Sequence, residues 1–319
     1  MGEFDLIERY FKRPAQRADV GIGDDCAVWT PRPGHQLAFS ADMLVEGRHF
    51  LTTVNPKFLG HKSLAVNLSD LAACGASPQA FLLSLSLPRA DEAWLSGFSE
   101  GLFQLSELHG CELIGGDTTQ GPLNIAITVM GDTPQGQSIL RSGARVGDDL
   151  YVSGHLGDAR LALEAFRGKV SLPQAVFDMA RRRMECPTPR VALGQALRGI
   201  ANAMADISDG LLGDLGHILK ASRVGAAIDV AAMQRLMLTR DAWACPQDLL
   251  QRCVLSGGDD YELVFTAHPD HQQQILALSE ACGTPVTRIG RITADPHLLL
   301  LSEDGGVLPN TFTSFDHFA

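Results

Sequence analysis

Acidic side chains in this sequence are gathered into a few short segments, most of them glycine-rich turns, instead of being spread over helix faces. The segments are Gly21-Ile22-Gly23-Asp24-Asp25, Ser40-Ala41-Asp42, Asn67-Leu68-Ser69-Asp70, Gly115-Gly116-Asp117-Thr118-Thr119, Asp206-Ile207-Ser208-Asp209-Gly210 and Ser256-Gly257-Gly258-Asp259-Asp260-Tyr261-Glu262. The chain carries 37 acidic and 26 basic residues, a net charge of −11, and setting aside the nine aspartates of these segments leaves 28 acids against 26 bases. The excess negative charge is therefore local. Carboxylates gathered at that density repel one another, and some must take up protons unless cations lie among them. Any fold of this chain has to deliver these segments to places that cations can reach. Hard divalent ions suit an all-oxygen set, and Mg2+ takes a few carboxylates together with water and phosphate oxygens. No paired His or Cys accompanies the segments, which argues against zinc or iron. The alternating acids of an EF-hand loop are also missing, which argues against a calcium sensor.

The segments differ in what their surroundings imply. Asp70 lies in an apolar run with Leu64, Val66, Leu68, Leu71 and Ala72, where an unpaired charge is costly. Helical spacing puts Asn67, Asp70 and Cys74 on one face, and a buried partner such as an ion is expected for Asp70. Asp42 and Asp117 each follow a run that reads as a strand, and strand ends are where α/β sheets present ligand groups. Ser208 or Asp209 suits the N-cap of the helical stretch 211–221, and the same helix start suits a phosphate. Gly147-Asp148-Asp149 resembles these segments but leads into an ordinary strand, so it reads as a solvated turn. Arg141 suits a phosphate clamp and a surface position equally.

At 319 residues the chain is long enough for two domains. The pattern predicts α/β domains at 1–140 and 141–319. In the first, strands at 26–30 and 36–41 precede a helix at 56–74, a strand at 80–87, a helix at 91–109, and strands at 112–115 and 123–131, a mixed sheet. The turn composition of 132–137 sets the boundary just beyond it. In the second, a strand at 149–153 is followed by helices at 156–166, 173–183, 189–201 and after Asp209, and by strands at 226–230, 261–267, 287–292 and 297–301.

Charge and composition exclude several classes. A net −11 argues against nucleic-acid and anionic-membrane partners, which require a basic face. The seven cysteines form no C-x-x-C pair, so neither a disulfide framework nor a structural zinc site is indicated, and a reducing cytoplasm is the expected setting. The opening residues carry acid where a leader carries base, and the longest apolar stretch, 81–87, is too short to span a bilayer, so neither secretion nor membrane insertion is expected. No P-loop occurs. Gly60-His61-Lys62-Ser63 comes nearest, and Gly21-Ile22-Gly23 runs into two aspartates instead of completing a Rossmann fingerprint. His49 and His155 have no evident nucleophile partner and, on the residues alone, read as structural.

Taken in order, GIGDDCA at 21–27, NLSDLAACGASP at 67–78, GGDTT at 115–119, ISDGL at 207–211 and GGDDYEL at 257–263 resemble the thiamine-monophosphate kinase family of the aminoimidazole-ribonucleotide synthetase-like ATP-binding superfamily, over essentially the whole chain. The resemblance implies a two-domain α/β (α+β) fold, with an N-terminal mixed-sheet domain that binds ATP and magnesium and pairs across a homodimer, a larger C-terminal α/β domain, and ATP in a cleft built from both. It implies Asp25, Asp42, Asp70, Asp117, Asp206 and Asp209 as ligands of several Mg2+ ions, and Gly116, Asp117, Arg141 and Ser208 as the ATP contacts. His49, Asp259 and Phe315 would line the thiamine-phosphate site, and Asp42, Asp117 and Arg141 would carry catalysis. Three positions depart from the family pattern. Ala41 stands where a threonine often precedes the metal aspartate, Asp259 replaces a glutamate, and Phe315 lacks a tyrosine hydroxyl. The implied reaction is direct in-line transfer from ATP to thiamine monophosphate, giving thiamine diphosphate in the last step of its biosynthesis.

Two other readings stay open on the residues. Superfamily relatives that activate an amide or a selenide use a reactive Cys near the N-terminus or a C-terminal Cys, whereas the first Cys here is Cys26 and the sequence ends in Ala319. A non-catalytic nucleotide- or thiamine-phosphate-binding protein would carry the same acids.

Overall fold

The computed structural model describes residues 2–312. The chain divides into two compact units, Met1–Leu71 with Ala76–Gly136, and Ala72–Gly75 with Gln137–Ala319.

The first unit opens with α1 (Glu3–Leu6), which continues as a π-helical turn over Ile7–Phe11. There follow β1 (His35–Val45), α2 (Pro56–Ala73), β2 (Ser77–Leu87), α3 (Glu92–His109), β3 (Glu112–Gln120) and β4 (Asn124–Pro134). The helices begin where their capping chemistry allows. Asn55 Oδ1 accepts from Lys57 N at 2.9 Å with Pro56 in the first turn, and the Asp91 carboxylate accepts from Ala93 N and Trp94 N. The sheet order is β1-β4-β2-β3, antiparallel except for the parallel β2–β3 pair. Period-two alternation divides its faces. On one, Phe81, Leu83 and Leu85 of β2 and Ile125, Ile127 and Val129 of β4 are buried, as are Leu64 and Leu68 of α2 and Phe98 and Leu102 of α3. Burying such a side chain contributes about 1.5–3 kcal/mol. The other face leaves Leu37, Phe39, Met43 and Leu82 exposed, Phe39 to 64%.

Three features of this unit differ from the expectation. Asp42 and Asp117 lie inside β1 and β3, which run on to Val45 and Gln120, and not at strand ends. Residues 26–30 form no strand, only an isolated bridge between Val20 and Val28, because Pro31 and Pro33 follow at once and prolines cannot donate to a ladder. The 132–137 stretch is not all turn: β4 runs to Pro134, and Asp132, 3% exposed, accepts from Gln79 Nε2 at 3.2 Å and pairs with Arg32.

The second unit holds β5 (Asp149–Ser153), α4 (Asp158–Phe166), α5 (Gln174–Glu185), α6 (Val191–Ala196), β6 (Ala201–Asp206), α7 (Leu211–Ser222), β7 (Gly225–Asp229), α8 (Val230–Gln234), α9 (Gln247–Ser256), β8 (Leu263–Ala267), α10 (Gln272–Ala281), β9 (Val286–Thr293), β10 (Leu298–Leu301) and β11 (Val307–Leu308). Its sheet runs β11-β10-β7-β9-β5-β8-β6, with only β10–β7 parallel. Leu150, Val152, Leu211, Leu215, Ile228 and Val254 belong to its core. The stretch read as one helix at 189–201 is α6 followed by a turn and then β6. Alanine-rich 201–205 favours helix by propensity, but pairing with β8 overrides it and sets Asp206 at a strand end. The Gly147-Asp148-Asp149 turn is buried instead of solvated. Asp148 accepts from Asn202 Nδ2 and Arg145 N, and Asp149 pairs with Arg288 at 2.7 Å. The two-domain α/β architecture with the larger second part is the one the sequence implies. Among the described residues, no helix is long and apolar enough to cross a membrane.

Candidate active site

In the first unit, the seam between β1 and α2 brings two of the singled-out acids together. Ser40 and Asp42 share the covered side of β1, and Asn67 and Asp70, one helical turn apart, face them. The Ser40 hydroxyl donates to Asp70 Oδ2, and the Asp42 N–H donates to Asn67 Oδ1 at 3.1 Å. Since β1 is an edge strand, that N–H gains from Asn67 the acceptor that an edge position otherwise lacks. Asn67 is 1% exposed, and its Nδ2 donates to the Ser63 carbonyl at 3.0 Å, which fixes the amide's orientation. Asp70 is half-buried with a hydroxyl partner. Seven residues beyond Asp42, the His49 ring accepts from Val45 N through Nδ1 at 3.0 Å, which leaves the proton of the neutral ring on Nε2. Asp25 lies in an exposed loop where its N–H donates to Asp24 Oδ1.

Asp117 is not part of that seam. Strand register aligns Asp42 with Ile127, Leu83 and Gly116, and places Asp117 in the next row with Ser84, Ala126 and Met43, on the open face at the opposite edge. There it lines a shallow cavity of ≈ 340 Å³ with Met43, Ser84, Thr119 and Asn124. Gly116 has φ 146°, and a Cβ there would lie 1.8 Å from the Leu83 carbonyl oxygen, so only glycine fits at this point of β3. A second cavity of ≈ 640 Å³, lined by Arg9, Arg13, Glu92 and Phe103, holds none of the residues singled out above.

In the second unit, the 206–209 and 257–262 turns are joined. Asp259 N donates to the Ser208 carbonyl at 2.9 Å, Tyr261 N to the Ile207 carbonyl at 2.8 Å, and Ile207 N to the Glu262 carbonyl at 2.8 Å. Asp206, 5% exposed, ends β6, and Ser208, Asp209 and Asp259 are half-buried. The N-cap of α7 is Gly210, so neither Ser208 nor Asp209 caps that helix. Their backbone N–H groups both donate to Asp214 Oδ2, at 3.0 and 3.1 Å. Burial pushes the Asp214 carboxyl up to about 7, against those two hydrogen bonds and the nearby positive charge of the exposed Arg141. Arg141 thus stands on the Ser208 side of the second unit. Of the paired aspartates, Asp260 is buried, accepts from Gly157 N at 3.0 and 3.1 Å, and is held by desolvation well above the usual carboxylate range. Asp259 remains the more accessible of the two, with the Tyr261 hydroxyl donating to its Oδ1 at 3.2 Å. Phe315 lies outside the described residues.

Among the described residues, no three His, Cys, Asp or Glu side chains form a ready-made cation cage. The singled-out acids lie in small groups: Asp42 and Asp70 with Ser40 on the two elements of one seam, and Asp206 and Asp209 in one turn. Such sets suit Mg2+, which binds through one or two carboxylates and keeps water and phosphate oxygens as its other ligands. Asn67, Asp214 and Glu262 were missed as site-building residues. For Asn67 the signal was present in its helical spacing from Asp70, whereas the other two act through folded-back turns that periodicity does not encode.

Comparison with known proteins gives the family and the fold. Residues 23–133 match the AIR synthase related protein, N-terminal domain, and residues 145–301 match the AIR synthase related protein, C-terminal domain. Thiamine-monophosphate kinase of Escherichia coli (strain K12) is 45% identical over 325 residues, spanning 100% of this chain and 98% of the relative. The crystal structure of thiamine-monophosphate kinase from Stenotrophomonas maltophilia K279a superposes with a TM-score of 0.85 at 42% identity, covering 96% of each chain. AaThiL complexed with AMPPCP and TMP superposes with a TM-score of 0.77 at 28% identity, covering 91% of this chain and 89% of the other. By sequence over its full length and by fold, the chain belongs to the thiamine-monophosphate kinase family.

Proposed function

We propose that this chain is an ATP-dependent kinase that phosphorylates thiamine monophosphate to thiamine diphosphate, the last step in making that coenzyme. The observation that carries the reading is the joining of the 206–209 and 257–262 turns, which makes one platform of residues assigned to two different ligands. Ser208, with Arg141 nearby, meets ATP, while Asp259 faces the cationic thiazolium of the acceptor. Gly116 and Asp117 add ATP contacts from the first unit, where His49 also serves the acceptor. Phe315 completes the acceptor site as an aromatic wall. The names of the relatives, and the AMPPCP and TMP bound to AaThiL, support both substrates.

The attacking atom is a phosphate oxygen that is already anionic at neutral pH, so no general base is needed to create the nucleophile. The task left to the protein is to bring two anions into line on a scaffold of net charge −11. Asp25, Asp42, Asp70, Asp117, Asp206 and Asp209 are the residues that would hold magnesium. When bound, magnesium supplies the positive charge that offsets phosphate–phosphate repulsion. Arg141 adds a guanidinium to the transferring group.

Residues 1–140 form the ATP- and magnesium-binding and dimerisation domain in this reading, and 141–319 the second domain. The exposed apolar side chains of Leu37, Phe39, Met43 and Leu82 support a homodimer built on the open sheet face, because a patch of this kind on a single sheet marks an interface. The seven cysteines, which form no C-x-x-C pair, support a reducing, cytoplasmic setting. Incubating the protein with ATP, Mg2+ and thiamine monophosphate should give thiamine diphosphate and ADP in equal amounts by chromatography. ADP without thiamine diphosphate, or no turnover, contradicts the reading.

A further inference from the structure

The turn that carries Asp259 is strained in front and anchored from behind. Asp259 and Tyr261 both have left-handed backbones, with φ 67° and 51°. Such conformations are costly for residues with a side chain and persist only where the surroundings impose them. Glu262, 0% exposed, is the buried end of this turn. Its carboxylate accepts from Arg190 Nε and Nη2, both at 2.6 Å, and from Arg183 Nη2 at 2.8 Å. It also accepts from the Ser153 hydroxyl at 2.7 Å and from His155 N at 3.3 Å. Ser153 Oγ in turn accepts from Leu263 N at 2.8 Å, so the same hydroxyl holds both the side chain and the chain that follows it. Space is reserved for this carboxylate. Gly154 has φ 55°, and a Cβ there would lie 2.0 Å from Glu262 Oε1.

A buried carboxylate between two arginines is an inefficient source of stability, since removing three charges from water offsets most of their attraction. What the network supplies is geometry. The fork of Arg190 fixes the carboxylate plane, and Arg183 ties it to α5. The Glu262 carbonyl and the N–H groups of Tyr261 and Asp259 then carry that position into the 206–209 turn. On the assignments of Asp259 and Ser208 proposed above, we infer that Glu262, held by Arg183 and Arg190, is a positioning residue that sets the joined turns as one piece and so places the thiamine-phosphate contact and the ATP contact together. Loosening the clamp weakens both ligands in parallel, although it touches neither.

The test is titration calorimetry of the full chain with thiamine monophosphate and with a non-hydrolysable ATP analogue in Mg2+, alongside melting curves. Glu262→Gln should lose more than about tenfold in affinity for each ligand, at a temperature where its circular dichroism is that of wild type. The double variant Glu262→Gln with Arg190→Gln removes one of the two stranded cations, so it should regain part of the lost melting temperature without regaining affinity. Ser153→Ala, which leaves the ion triad in place, should show smaller losses of equal size for the two ligands. If Glu262→Gln does not fold, Ser153→Ala decides alone: parallel losses support the clamp, and wild-type affinities overturn it. Recovery of affinity together with stability in the double variant overturns it, as does a loss confined to one ligand. Failure of the wild-type chain to bind either ligand is a different result, which removes the assignments of Asp259 and Ser208 before any variant is compared.

Discussion

Asp214 shows how one side chain links a turn to pH. It is 4% exposed, accepts from two backbone N–H groups, and has its carboxyl raised from 3.8 to about 7, mainly by desolvation. A raised carboxyl means that the folded protein keeps a proton which the unfolded chain releases. Its contribution to stability is therefore full below pH 3.8 and is lost as pH rises to about 7. Asn at this position keeps an acceptor for the same N–H groups and has nothing to ionise. Melting curves in EDTA should show Asp214→Asn matching wild type in acid and exceeding it above neutrality, by a margin on the order of 4 kcal/mol. Parallel pH profiles for the two proteins would contradict this account of the turn.

At the scale of elements, the Asn67 amide is one of two side chains that tie β1 to α2, the other being Asp70. Replacing Asn67 by alanine removes one acceptor from the part-buried Asp42 N–H and one donor from the Ser63 carbonyl, at a cost of about 1 kcal/mol in urea denaturation. Unchanged stability would mean that the seam is held elsewhere. The helix of this seam was legible in the sequence because its start is local chemistry: Asn55 and Pro56 mark it, as Asp91 marks the start of α3. Pairing was not legible to the same degree. The stretch 189–201 reads as one helix, and nothing local marks the β6 that begins at its end and pairs with β8; the opposed faces of Asp42 and Asp117 likewise follow from a four-strand register that only non-local contacts fix. The nine aspartates could be singled out from composition. That Asp260 is buried while Asp259 is left more accessible depends on two left-handed residues that no propensity predicts.

At the scale of the molecule, the open sheet face of the first unit sets the expected assembly. A two-fold axis presents the same patch from both copies, so a charge placed in it meets its own kind. Phe39→Glu should convert a dimer to a monomer in light scattering with the fold retained, since Phe39 is 64% exposed and contributes little to the core of a single chain. An unchanged mass would contradict a homodimer built on this face. The chemistry proposed for the whole chain makes a stricter demand. With an anionic phosphate oxygen as nucleophile and no side chain assigned as a phosphate carrier, the phosphoryl group passes from ATP to the acceptor once. The most direct test is to supply ATP made chiral with oxygen isotopes at its γ-phosphorus and to read the configuration at the terminal phosphorus of the thiamine diphosphate formed. Direct in-line transfer predicts inversion, and retention would show a phosphorylated enzyme intermediate and contradict the account.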